Sequence, residues 1–266
     1  MLELITAYSL SNVPYIDDSA LEDYAEELVK DFSPEILLSP QPFDAERFIE
    51  YYLRLHVEYK RLVYGQRILG MTAFNDGYIE VLNDETGLKE AIDVNAGTVI
   101  IDPLLALKRN RPRMRFTITH EGCHWIMHRK AFELANPLSA VRIYDDQPLA
   151  AKTGRGDYSR SRRLKTDIDR IERQADFLAS AIVMPKDPLR MAYCSFFRSR
   201  GEKPWKNIVR GRSETDDQYA KALPLYVAKL FGVSKKAATI RLEKLTAILD
   251  KQNIGFHTQL TITQNK

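Results

Sequence analysis

The sequence predicts an α+β protein in which a small, mostly antiparallel sheet packs on a functional helix and a helical module closes the chain. Three observations carry this prediction. Short runs rich in Val, Ile and Tyr fill the stretch from His56 to Asp102. Two segments of helical character follow, about Met114 to Phe132 and Asp167 to Val183, and a further helical stretch runs from about Gln218 to Gln252.

Taken in order, Ala20 to Asp31 places Leu21, Tyr24, Ala25 and Leu28 at helical spacing among acids, and Pro42 to Leu55 starts similarly, with Asp44 as cap. Two acidic surface helices are expected. The turns Asn75-Asp76-Gly77 and Asn83-Asp84 divide the strand region into hairpin-sized pieces. The first main helix follows Pro112, and Met184-Pro185 ends the second. Between them, Gly154 to Arg163 is polar and basic, so Arg162 and Arg163 are candidates for contact with a substrate or nucleic acid.

A chain of 266 residues with 44% hydrophobic and 28% charged residues is long enough for one main domain and an appendage. The expected division is an acidic helical segment over 1–42, the main domain over 43–197, and a basic linker with a helical tail over 198–266. No apolar run is long enough for a membrane span, and the start lacks a secretory pattern, so a cytoplasmic protein without membrane contact is expected. Cys123 and Cys194 form no spaced framework and read as buried thiols. Charge is uneven: the first fifty residues hold twelve acids and two bases, while the whole chain carries +3.

The chemistry concentrates in His120-Glu121-Gly122-Cys123-His124, an HExxH pattern within the first main helix. Residues at i and i+4 share a helical face with Cβ atoms about 5–6 Å apart, which lets two imidazoles meet one zinc ion. Glu121 then stands beside the ion, placed to act as general base on water. Glu172 and Asp176 repeat the i, i+4 relation in the second helix. Glu172 is the candidate third ligand, leaving a fourth position open for water as in a catalytic site, and Asp176 is a candidate partner for the outer nitrogen of His120 or His124. His128 continues the stripe, but one straight helix cannot bring all three histidines to one ion without a break, so it is expected behind the ligands.

The segments Arg115 to His128 and Glu172 to Pro185 resemble the two motifs of the ImmA/IrrE-type metallo-endopeptidases, in the same order. The resemblance covers roughly Phe43 to Tyr193 and, more weakly, the tail. It implies a zincin-like fold, a Zn2+ cofactor on His120, His124 and Glu172, catalysis by Glu121, and a protein substrate of the helix-turn-helix repressor kind. Asp176 stands where that family commonly has asparagine, and Gly122-Cys123 replaces the commoner Leu-Gly. Neither change touches a ligand. A zincin sheet usually offers an edge strand to extended substrate, and Thr98 to Asp102 is the expected strand. Tyr144 and Tyr158 lie between the two motifs, without an assigned role.

The tail from Val227 to Leu245 reads as helix, glycine turn, Ser234 cap and helix, a helix-turn-helix pattern with five bases and one acid. Lys235 and Arg241 are candidate nucleic-acid contacts, although packing the domain or holding a protein substrate accounts for the segment better than DNA does. Two classes of function therefore stand: an endopeptidase acting on a regulatory protein, and a DNA-binding regulator or stress sensor that retains a metal domain without turnover.

Overall fold

The computed structural model describes residues 13–63, 68–135, 167–203 and 213–251, and they form a mixed α+β protein. The chain divides into two compact units, one of Met1–Ile16 with Asp44–Ala179, the other of Asp17–Phe43 with Ser180–Lys266. Among the described residues no helix is long and apolar enough to cross a membrane.

Among its described residues the first unit holds six short strands. β1 (His56–Tyr59), β6 (Thr98–Ile101) and β3 (Gly70–Thr72) form one sheet in that order, with β1 parallel and β3 antiparallel to β6. β2 (Arg61–Leu62), β4 (Gly77–Leu82) and β5 (Lys89–Val94) form a second, wholly antiparallel one. Asn83 shapes the β4–β5 turn by accepting the N–H groups of Glu85 and Thr86 on its side-chain oxygen, at 3.0 Å each. The alternation of β4 puts Ile79 and Val81 into a core with Leu62, Met71, Ala73, Val94 and Ile100.

β6 is buried at all four positions because it lies between two strands and is covered on both faces, which is why Val99 to Ile101 are consecutive apolar residues rather than alternating with polar ones. This corrects the expected substrate-facing edge at Thr98 to Asp102: β6 is the central strand of its sheet, paired on both sides. Beyond Asp44, whose side chain caps the turn α2 (Ala45–Arg47), the chain winds into a π-helical turn over Phe48–Tyr52, shorter than the helix expected for Pro42 to Leu55. The long helix α3 (Arg111–Ala135) lies against β3 and β6. Its lower end, with Ala131 and Phe132, packs on Val13, Phe74 and Ile171. Ile171 belongs to α4 (Asp167–Val183), which spans the residues expected for the second main helix.

The second unit is helical: α1 (Asp18–Phe32), α5 (Lys186–Arg198), α6 (Glu214–Phe231) and α7 (Lys235–Lys251). Asp17 caps α1 through the Ala20 N–H at 2.8 Å, and Ser213 caps α6 through that of Asp216 at 3.1 Å. The expected turn between the last two helices is present, with Gly232 in the left-handed region at φ 60° and the Ser234 hydroxyl accepting the Ala237 N–H at 3.1 Å.

Arg241 corrects the expectation of a nucleic-acid contact. It is fully buried, donating to both oxygens of Glu22 at 2.6 and 2.5 Å and to the Met184 carbonyl at 3.0 Å. A guanidinium so engaged has no face left for a phosphate. The same contact redraws the domain plan, since the acidic N-terminal helix belongs with the tail rather than standing as a separate segment. Lys235, by contrast, is exposed. Removing one partner of a buried bidentate pair strands the other charge, so Glu22→Ala is expected to lower the unfolding free energy by about 3–5 kcal/mol in a denaturant titration. The double change of Glu22 and Arg241 to leucine should cost less than Glu22→Ala alone.

Candidate metal centre

α3 and α4 each contribute one face to the site. On α3, His120 and His124 lie one turn apart, and their Nε2 atoms approach to 2.9 Å. On α4, the Glu172 carboxylate reaches into the same space, 3.5 Å from His120 Nε2 and 3.6 Å from His124 Nε2. These three residues offer ligand atoms within 4.8 Å of one another and could hold a metal ion. Tetrahedral ligand atoms about 2.0–2.1 Å from one ion lie about 3.3 Å apart, so the two nitrogens need to open by only a few tenths of an ångström.

The charges around the cluster favour a cation. Burial pulls the His120 ring down, but the carboxylates of Asp176 and Glu172 overcome it and hold its pKa well above the ordinary value. His124 moves the opposite way, driven well below its ordinary value by burial and then by the neighbouring His120 and His128 rings. The cluster thus draws one positive charge to His120 while His124 keeps a bare nitrogen. An ion shared by the three would meet both conditions.

The Asp176 Oδ1 lies 3.1 Å from His120 Nδ1, the ring nitrogen away from His124. This is a close electrostatic contact rather than an aligned hydrogen bond. His128 is fully buried, its Nδ1 lies 3.2 Å from His124 Nδ1, and it takes no part in the three-residue cluster. Cys123 is also buried and outside the cluster, and burial raises its thiol well above the ordinary range. Arg162, Arg163, Tyr144 and Tyr158 lie outside the described residues.

Glu121 is 5% exposed and backs onto β3. The Thr72 hydroxyl donates to its Oε2 at 2.9 Å, with the Glu121 main-chain carbonyl at 3.1 Å as a further acceptor. Burial pushes the Glu121 carboxyl up to about 7, partly offset by the His120 charge and the Thr72 hydrogen bond. Gly70, two residues before Thr72 on the same strand, makes this seat possible. A Cβ there would come within 2.8 Å of Thr117 Cγ2 and 2.9 Å of Glu121 Oε1. Thr72 and Gly70 give no local sequence signal, because their partner lies on a helix 49 residues after Thr72. Gln174, placed between Glu172 and Asp176 but on another face of α4, is likewise fully buried and passed unassigned in the sequence.

A comparison with protein-family models gave no match, and no curated protein matches the chain.

Two outcomes are expected of this geometry. Added Zn2+ should raise the melting temperature of the chelator-treated protein, by an amount equivalent to about 2.7 kcal/mol at a hundredfold excess over Kd; Glu172→Ala should remove most of that shift. Gly70→Ala should cost about 1–3 kcal/mol of stability in denaturant, since the Glu121 side chain or the strand must move.

Proposed function

We propose that this chain is a zinc-dependent endopeptidase of the ImmA/IrrE type, built on a zincin-like domain and hydrolysing a peptide bond in a regulatory, repressor-like protein. The observation that carries the proposal is the convergence of His120, His124 and Glu172 from two helices, with the buried Glu121 carboxylate held by Thr72 and coupled electrostatically to His120 and Glu172. Two imidazoles and one carboxylate are the ligand set of catalytic zinc sites that keep a fourth position open. Zinc, when bound there, would supply Lewis acidity for the scissile carbonyl and for water.

The residues of the chain do the rest. Thr72 holds the Glu121 carboxylate through Oε2, and that carboxylate takes a proton from the attacking water. Oxygen adds to the carbonyl carbon, the C–N bond breaks, and Glu121 returns the proton to the leaving amine nitrogen. Asp176, beside His120 Nδ1, keeps that ring turned toward the other ligands. The helix-turn-helix reading of α6 and α7 then serves domain packing or a protein substrate. The alternative is a DNA-binding regulator or stress sensor without turnover; of the two contacts expected for it, Arg241 is committed to Glu22 and Met184, while Lys235 is exposed.

Metal content by mass spectrometry, paired with incubation against helix-turn-helix repressor proteins, tests the reading. About one zinc per chain and a discrete cleavage product are expected. Glu121→Gln should keep the metal and lose roughly 10²–10⁴-fold in cleavage rate. Metal without cleavage by the wild type would favour the regulator, and a chain that takes up no metal would overturn the proposal.

A further inference from the structure

Behind His124 runs a line of hydrogen-bonding groups that ends on the main chain of the N-terminal segment. His124 Nδ1 faces His128 Nδ1 at 3.2 Å, His128 Nε2 faces Gln174 Oε1 at 3.0 Å, and Gln174 Nε2 donates to the Pro14 carbonyl at 2.7 Å. Imidazoles and amides can each be turned two ways, but a carbonyl oxygen can only accept. The direction of the whole line is therefore decided at Pro14.

Reading outward from that oxygen, the Gln174 NH2 must donate, because the flipped amide would set two acceptors 2.7 Å apart. Gln174 Oε1 is then turned to His128, whose Nε2 must carry a proton to donate to it. His128 is fully buried with an amide and an imidazole at its two nitrogens, an environment in which a second proton would be an uncompensated charge. Its Nδ1 is bare and accepts, so His124 must donate from Nδ1. That leaves the lone pair of His124 on Nε2, the atom that faces His120 and Glu172.

We infer that residues Val13–Ile16 are part of the metal centre, the Pro14 carbonyl acting through Gln174 and His128 to hold His124 in the tautomer and ring orientation that can bind a metal. The segment is seated to do so. Val13 is 1% exposed in a cluster with Phe74, Ala131, Phe132 and Ile171; the Arg170 guanidinium lies 4.2 Å from the Tyr15 ring centre; and Arg173 donates to the Ile16 carbonyl at 3.2 Å. The two histidines thus have unlike supports, a carboxylate behind His120 and a neutral relay behind His124. Gln174, His128 and Pro14 are positioning residues in this scheme, and the scheme rests on the metal-binding reading above.

The test uses the full-length zinc-loaded chain. Nitrogen NMR of the imidazoles is expected to show His128 as the Nε2–H tautomer and His124 protonated on Nδ1. Competition with a chromophoric chelator should show zinc affinity lowered about 10–100-fold in Gln174→Leu. Val13→Ser, which loosens the seat of the segment and leaves each polar member of the line intact, should lower it in the same direction. A His128 proton on Nδ1, or wild-type affinity in folded Gln174→Leu, would overturn the relay; wild-type affinity in Val13→Ser would overturn the part given to the segment. Should Gln174→Leu not fold, the tautomers of the wild type decide. If the wild type binds zinc and Glu172→Ala does not, a negative result falls on this inference alone, whereas a wild type without zinc removes the metal reading and this inference with it.

Discussion

Burying several ionisable groups in one place is costly unless each has a partner, and the first unit is organised around that constraint. His120, Glu121, His124 and Glu172 lie together, largely shielded from water. Three of them are answered by a further group, Asp176 for His120, Thr72 for Glu121 and His128 for His124, while the Glu172 carboxylate faces the two imidazoles themselves. The partners come from β3, α3 and α4, so the packing of those elements and the protonation of the cluster are one problem. A displaced helix would leave buried charge unanswered, which ties the precision of the site to the stability of its scaffold.

The same constraint explains small residues and short elements that otherwise look incidental. β3 is only three residues long, yet it supplies both the hydroxyl that holds Glu121 and the glycine that lets the carboxylate approach the strand. β6, sealed between β1 and β3, gives that short strand its register through Met71↔Ile100 and Thr72↔Val99. In the second unit Glu22 and Arg241 meet the requirement in another form, with a bidentate pair and one main-chain carbonyl accounting for a fully buried guanidinium. A base that reads as a surface contact in a basic segment is thereby an internal tie.

Much of the centre was legible in the sequence because it depends on helical periodicity. The i, i+4 spacing places His120 above His124 and Glu172 above Asp176 whatever surrounds the two helices, and Ser234 and Gly232 mark the last turn by backbone preferences of their own. Those relations are local, and residue type with spacing decides them. The same local rules do not say which side of a central strand is covered. Thr98 to Ile101 reads as a strand from composition, but its place between β1 and β3 follows from pairings made over long stretches of chain.

Tertiary structure decided the remainder for the same reason. Thr72 behind Glu121, Pro14 and Gln174 behind His128, and Glu22 against Arg241 are contacts between residues 49, 160 and 219 positions apart along the first, second and third lines of contact. No periodicity links such positions, and each residue taken alone has an ordinary use on a surface or in a turn. The sequence by itself determined which side chains can bind a metal and on which helical faces they stand; folding determined which buried groups hold them, because hydrogen-bond partners are set by proximity in space rather than by spacing in the chain.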